Sequence, residues 1–256
     1  MALLFRITYL PVAESTNTEV KRAIEAGEAE GLAVQAGRQT GGYGRRGHTW
    51  ESPEGGLYLS LLLRPDVDDA ALSTLPLVVG LAVREACETA APAGRFAVKW
   101  PNDVMLVGAA EDSVAGDGAA ANAAIDAADP TAANPAPDLR KIAGISCEKH
   151  AGAVCLGIGV DAADLPGAPS PDVLREALLT AFARRYDAWL AHGFAPFAPE
   201  LNRANALMGR EVRIEVADRV TASGTADSVD EAGRLVLRGT DGSFLRVSSG
   251  EAHILL

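Results

Sequence analysis

The chain has 256 residues, 48% of them apolar, enough to bury the core of one large domain or of a large and a small one. A formal net charge of −11 argues against a general binder of DNA, RNA or anionic lipid, which needs basic surface. The opening residues are too few for a signal sequence and no apolar run reaches transmembrane length. Cys87, Cys147 and Cys155 lack C-x-x-C spacing, so the expected setting is the cytoplasm, with buried free thiols and no membrane.

Residues 3–12 read as a strand. Ser15-Thr16-Asn17 opens a helix, and Thr16-x-x-Glu19 has capping-box spacing. Gly31 to Ala36 is a short strand feeding a Gly/Arg loop, and Leu57 to Leu63 is a strand leaving it. The apolar stretch 70–91 has helical length despite Pro76. Phe96 to Trp100 is a strand ending in the turn Pro101-Asn102-Asp103. Residues 109–138 carry six acidic groups, no basic one and almost no large apolar side chain, which predicts a disordered surface insertion. Lys141–Lys149 and Val154–Val160 read as buried strands joined by a turn near Gly152. A helix follows, with Ser170 as N-cap, Pro171 in its first position and Gly193 as its stop. From about Gly209, short strands alternate with turns at the spacing of a small β-barrel. The expected organisation is an α+β unit over 1–205, then an all-β unit over 206–256.

The loop from Arg38 to Trp50 packs four glycines and three arginines into thirteen residues, and ends on an aromatic plate. Backbone N–H groups, guanidinium forks and a flat ring together suit phosphate and a base. Gly42-x-Gly44-x-x-Gly47 is a literal dinucleotide fingerprint, but no helix starts inside it and a strand follows. No Walker loop occurs, and Arg45 and Arg46 stand without the wider basic surface that nucleic acid requires. Histidines 48, 150, 192 and 253 have no ligand spacing, so no metal-binding set is assigned, and no G-x-S-x-G elbow is present. Lys99, one of only four lysines, sits at a strand end. Either it merely flanks a turn, or it presents a charge to a carboxylate or phosphate. Gly144, Gly157 and Gly159 interrupt apolar strands, as a bulge or a close ligand approach would require.

In chain order the pieces are Ser15-Thr16-Asn17, Gln39-Thr40-x-Gly42-x-Gly44-Arg45-Arg46-Gly47-x-x-Trp50, Lys99-Trp100-Pro101-Asn102-Asp103, Lys141-Ile142-Ala143-Gly144-Ile145 and Gly157-Ile158-Gly159-Val160. With this combination the chain resembles the biotin–protein ligases, biotin–[acetyl-CoA-carboxylase] ligases, over almost everything outside 109–138. The resemblance implies an α+β fold: a mixed β-sheet with helices packed on one face, like class II aminoacyl-tRNA synthetases, then a C-terminal SH3-like β-barrel. It implies that biotin's carboxylate attacks the α-phosphate of ATP with Mg²⁺ assistance, giving biotinyl-5′-AMP. A lysine of a biotin carboxyl carrier protein then takes the acyl group. Only fourteen residues precede Ser15, so the form expected is one without the DNA-binding domain of the family's repressor branch, and a homodimer is left open.

By the same resemblance Arg45 and Lys99 are catalytic. Biotin is held by Ser15, Thr16, Asn17, Gln39, Tyr43, Gly44, Arg45, Lys99, Gly144 and Gly157. ATP is held by Arg45, Arg46, Trp50, Asn102, Lys141 and Asp161. The loop is expected to be mobile when empty and to close on the reactive adenylate. Three positions depart from the family pattern: Tyr43 and His48 stand where arginines are usual, and Asp161 replaces an asparagine, losing an amide donor. The alternatives carried are a lipoate–protein ligase and a non-catalytic biotin sensor or regulator.

Overall fold

The alternation of side chains along one strand, Leu57–Leu63 (β3), sets the layers of this protein. Leu57, Leu59, Leu61 and Leu63 belong to the large buried core, whereas Leu62 joins a second cluster on the opposite face. The computed structural model describes residues 3–108 and 138–255. The predicted insertion at 109–138 therefore lies outside the described residues, apart from Asp138. There the chain re-enters the sheet beside its point of departure, with Gly108 N–H donating to the Asp138 carbonyl at 2.8 Å.

Six further strands complete a mixed sheet with β3: Arg6–Ala13 (β1), Leu32–Gln39 (β2), Phe96–Lys99 (β4), Asp103–Val107 (β5), Leu139–His150 (β6) and Ala153–Val160 (β7). Their order is β1-β2-β3-β7-β6-β5-β4, with β1 and β2 parallel and every other neighbouring pair antiparallel. The parallel pair needs a crossover, supplied by helix Thr16–Glu25 (α1). Val20 and Ile24, one turn apart, pack with Val34, Leu62 and Cys155 on the face away from the main core. Helices are thus found on both faces, not one, because the apolar stripe of α1 is matched by that second set of strand residues.

The main-core face carries Leu75–Ala90 (α3) and Pro171–His192 (α4), preceded by the single turn Asp69–Leu72 (α2). The helix expected over 70–91 is divided at Ser73-Thr74. Asp68 caps α2 through Ala71 N–H, and Pro76 falls in the first turn of α3, where its missing N–H costs nothing. By length and composition the stretch Asp69–Ala90 is apolar enough to cross a membrane, contrary to expectation. Here its apolar residues form the core with the sheet and α4. The α4 caps are as read: Ser170 Oγ accepts from Val173 N–H, and Gly193 closes the helix at φ +68°.

After Ala198–Arg203 (α5) come Glu211–Val216 (β8), Arg219–Val229 (β9), Leu235–Arg238 (β10), Phe244–Val247 (β11) and Glu251–Ile254 (β12). They form an antiparallel sheet ordered β11-β10-β9-β8-β12. Its two ends do not pair, so the expected barrel is not closed. Val212, Ile214, Leu235 and Leu237 belong to the same buried cluster as the first sheet, and Trp100 Nε1 donates to the Gly233 carbonyl at 3.0 Å.

Three helices are tied by one cation. Arg185 of α4, only 6% exposed, donates to Glu85 of α3 and to both carboxylate oxygens of Glu200 of α5 at 2.7–3.1 Å. Burial would raise the Glu85 pKa, but Arg185 and Arg184 outweigh it and hold the group below its ordinary 4.5. This stabilisation is therefore present above the ordinary value and lost as pH falls through the lowered one. Arg185→Ala, which leaves Glu200 without its cation and Glu85 with Arg184 alone, should destabilise the fold in urea unfolding, by about 1 kcal/mol because both carboxylates are partly exposed, and flatten its acid limb. An unchanged midpoint would show that the network is solvated.

Candidate active site

A cleft of about 410 Å³ opens between the first turn of α1, the Gly/Arg loop, the β4–β5 turn, strands β6 and β7, and the start of β12. Thirteen of the fifteen residues assigned to biotin or ATP line it: Ser15, Thr16, Asn17, Gln39, Tyr43, Gly44, Arg45, Trp50, Lys99, Asn102, Lys141, Gly144 and Gly157. Arg46 and Asp161 do not. Arg46 pairs with Glu251 of the cleft wall at 3.3 Å without lining the cleft itself, and Asp161 lies in a separate recess with Tyr58 and Asp164. There burial, with Asp164 adding to it, raises the Asp161 pKa.

One end of the cleft is neutral and polar. The Thr16 backbone N–H, a free donor at a helix start, goes to Gln39 Oε1 at 2.8 Å. The expected capping box therefore does not form. Ser15 is the N-cap without a side-chain bond, and Glu19 pairs with Arg22 at 2.6 Å. Gln39 Nε2 in turn donates to Ser52 Oγ at 2.8 Å. Ser60 Oγ lies 2.6 Å from Asn17 Oδ1 and 2.7 Å from Thr16 Oγ1, and Asn17 Nδ2 donates to Ser146 Oγ at 3.1 Å. Thr16, Asn17, Ser60 and Ser146 are all buried. Every one of them is paired, as burial demands.

The other end is cationic. Lys99 is half-buried at the end of β4, and among the described residues no carboxylate lies within ion-pair reach of it or of Arg45. Burial lowers the Lys99 pKa; Asp103 opposes that shift and Lys141 adds to it. Burial, and then Arg46, likewise lower that of Arg45. Arg45 Nη1 donates to Asn102 Oδ1 at 2.8 Å, and Asn102 is itself bonded to the Ile145 backbone in both directions. Lys141 Nζ sits 2.8 Å from Asp103 Oδ1, which gives that buried oxygen a counter-charge.

Trp50 lies over the sheet with Lys141 Nζ 5.3 Å from its ring. A Cβ on Gly159 would come 2.6 Å from Trp50 Nε1, and one on Gly157 would overlap Asn17 Oδ1 and come 2.6 Å from Ser146 Oγ. The space these glycines leave is taken by Asn17, Ser146 and Trp50, while both glycines still line the cleft. The loop itself is a short hairpin, with a Tyr43–Thr49 bridge and Gly44 N–H donating to the His48 carbonyl.

Sequence reasoning missed Ser60, Ser146, Asp103, Lys21, Glu148, Glu251 and His253. The only signal for the two serines was a lone hydroxyl in an otherwise apolar strand, and for Lys21 its position four residues after Asn17.

Residues 9–161 match the biotin/lipoate A/B protein ligase family, and residues 207–254 match the biotin protein ligase C-terminal domain. A biotin–[acetyl-CoA-carboxylase] ligase of Paracoccus denitrificans is 30% identical over 261 residues, covering 90% of this chain and 92% of that one. The bifunctional ligase/repressor BirA of Bacillus subtilis is 28% identical over 92% of this chain and 70% of its own length. The solved biotin protein ligase of Aquifex aeolicus, in complex with biotin and ATP, shares the fold at a TM-score of 0.76, with 24% identity over 98% of both chains. The chain belongs to the biotin/lipoate A/B protein ligase family.

Proposed function

We propose that this protein is a biotin–protein ligase that makes biotinyl-5′-AMP from biotin and ATP and passes the acyl group to a carrier lysine. One observation carries the reading: a paired amide-and-hydroxyl pocket opens directly onto a cluster of cations. A ureido ring needs donors and acceptors, and its carboxylate tail must meet a triphosphate of like charge. Gln39, Thr16, Asn17 and Ser15 suit the ring. Lys99 and Arg45 neutralise the two anions, so that a carboxylate oxygen attacks the α-phosphorus and pyrophosphate leaves. In the second step the carrier's neutral ε-amine attacks the acyl carbon, and AMP departs.

Mg²⁺ is read as arriving on the triphosphate. Among the described residues no three ligand-type side chains cluster. The ion would be held chiefly by phosphate oxygens and water, with Asp103 as the carboxylate of the cleft that could assist, and it would screen the charge of the leaving pyrophosphate. The carrier is inferred to be a biotin carboxyl carrier domain, and the compartment the cytoplasm. Lipoate fits less well, because its dithiolane offers no hydrogen-bonding group to match the amides and hydroxyls of the polar end. Incubation with ATP, a carrier domain and radiolabelled biotin or lipoate tests this; transfer of lipoate without biotin would overturn it.

Lys99→Ala should lower pyrophosphate release by roughly 10²–10³-fold in a protein of native circular dichroism. Because the Lys99 pKa lies below its ordinary 10.5, activity should fall on the alkaline side as pH rises through the lowered value. Lys99→Arg should move that limb to higher pH; coincident profiles would remove Lys99 from the chemistry. Arg45→Gly should let biotinyl-AMP escape and label bystander lysines, read by streptavidin blotting. Gly157→Ala should displace Asn17 and raise the KM for biotin by about tenfold, an effect that normal steady-state kinetics would disprove.

A further inference from the structure

Tyr43 lines two cavities. One is the cleft just described; the other, about 680 Å³, lies beyond the loop, between it, α2 and the outer part of β6. The inner end of the loop is the partition between them. That end is held by a side chain outside the cleft lining: Lys21 Nζ donates to Tyr43 Oη at 3.0 Å and lies 5.4 Å from the ring centre. The same ammonium is 2.6 Å from Glu148 Oε2, and Glu148 Oε1 accepts from Asn17 Nδ2 at 3.4 Å. Lys21 and Glu148 are 24% and 33% exposed, so the pair is less screened than a surface one. Burial would lower the Lys21 pKa, but Glu148 and Tyr43 outweigh it and keep the ammonium charged. Asn17 and Lys21, four residues apart on α1, thus act side by side: one orders the polar pocket, the other the loop.

We propose that Lys21 is a positioning residue: by bridging Glu148 and the Tyr43 phenol, it holds the loop's inner end as the wall between the adenylate cleft and the adjoining cavity. The proposal rests on the ligase reading for its consequence, retention of a reactive acyl-adenylate, and on geometry alone for the strut.

The test uses the full chain with Lys21→Met, Lys21→Arg, Tyr43→Phe and the Lys21→Met/Tyr43→Phe double variant. Hydrogen exchange at the Gly44, His48 and Trp50 amides, in ligand-free protein, should quicken by about tenfold in Lys21→Met and Tyr43→Phe, the scale of a hydrogen bond to a charged group. With biotin, ATP and carrier, the ratio of free adenylate to carrier-bound biotin should rise by a similar factor. A merely structural loss would lower both products in step. The double variant should be no worse than Lys21→Met alone, since that change already takes the ammonium away from the Tyr43 hydroxyl, and Lys21→Arg should restore parental behaviour. Parental exchange and parental adenylate retention in both single variants, or fully additive effects, would overturn the proposal. Should Lys21→Met fail to fold, Tyr43→Phe, which deletes only a hydroxyl, decides. If the parent releases no pyrophosphate, the ligase reading falls, and loop exchange alone decides the strut.

Discussion

Buried polar groups must find partners, and at the start of α1 they find them on three different strands. Thr16 reaches Gln39 on β2, Asn17 reaches Ser60 on β3 and Ser146 on β6. Leaving any one of these groups unpaired would cost more than the bond itself contributes, so the set holds the helix terminus in one position and orientation. The apolar residues one turn on, Val20 and Ile24, seat the same helix against the sheet. The pocket is thus preorganised by the contacts that dock α1.

The cationic end follows a different logic. Lys99, Arg45 and Lys141 converge on one cleft, and burial works against the charges of Lys99 and Arg45. Asp103 and Asn102 temper the repulsion without cancelling it. Such an arrangement favours an anionic occupant, whose charge relieves what the fold has gathered. The loop that supplies Arg45 is tethered at Tyr43 to Lys21, at Arg45 to Asn102 and at Arg46 to Glu251. These three ties reach α1, the β4–β5 turn and the C-terminal sheet, and they set the loop against the cleft.

Much of this was legible in the chain. Strand periods, the Ser170-Pro171 start and Gly193 stop of α4, and the placing of Lys99 at a strand end all came from local chemistry. Features set by long-range register were not. Serines at 60 and 146 look ordinary until the pairing of β3, β7 and β6 brings them beside Asn17. Thr16-x-x-Glu19 has the spacing of a cap, yet Gln39, twenty-three residues away, competes successfully for the Thr16 N–H. Closure of the second sheet is likewise not written in turn spacing, which gives the strands but not whether the two end strands meet. Lys21 and Glu148, 127 positions apart, carry no mutual signal at all.

The central claim is that one cleft joins a ureido pocket to a phosphate-neutralising end, so that biotin and ATP react there without any carrier. Single-turnover mixing of the protein with biotin and α-³²P-labelled ATP, carrier omitted, tests it directly. The account predicts enzyme-bound biotinyl-[³²P]AMP approaching one equivalent, with matching pyrophosphate. Tight biotin binding with no labelled adenylate would contradict it and leave a pocket without the chemistry.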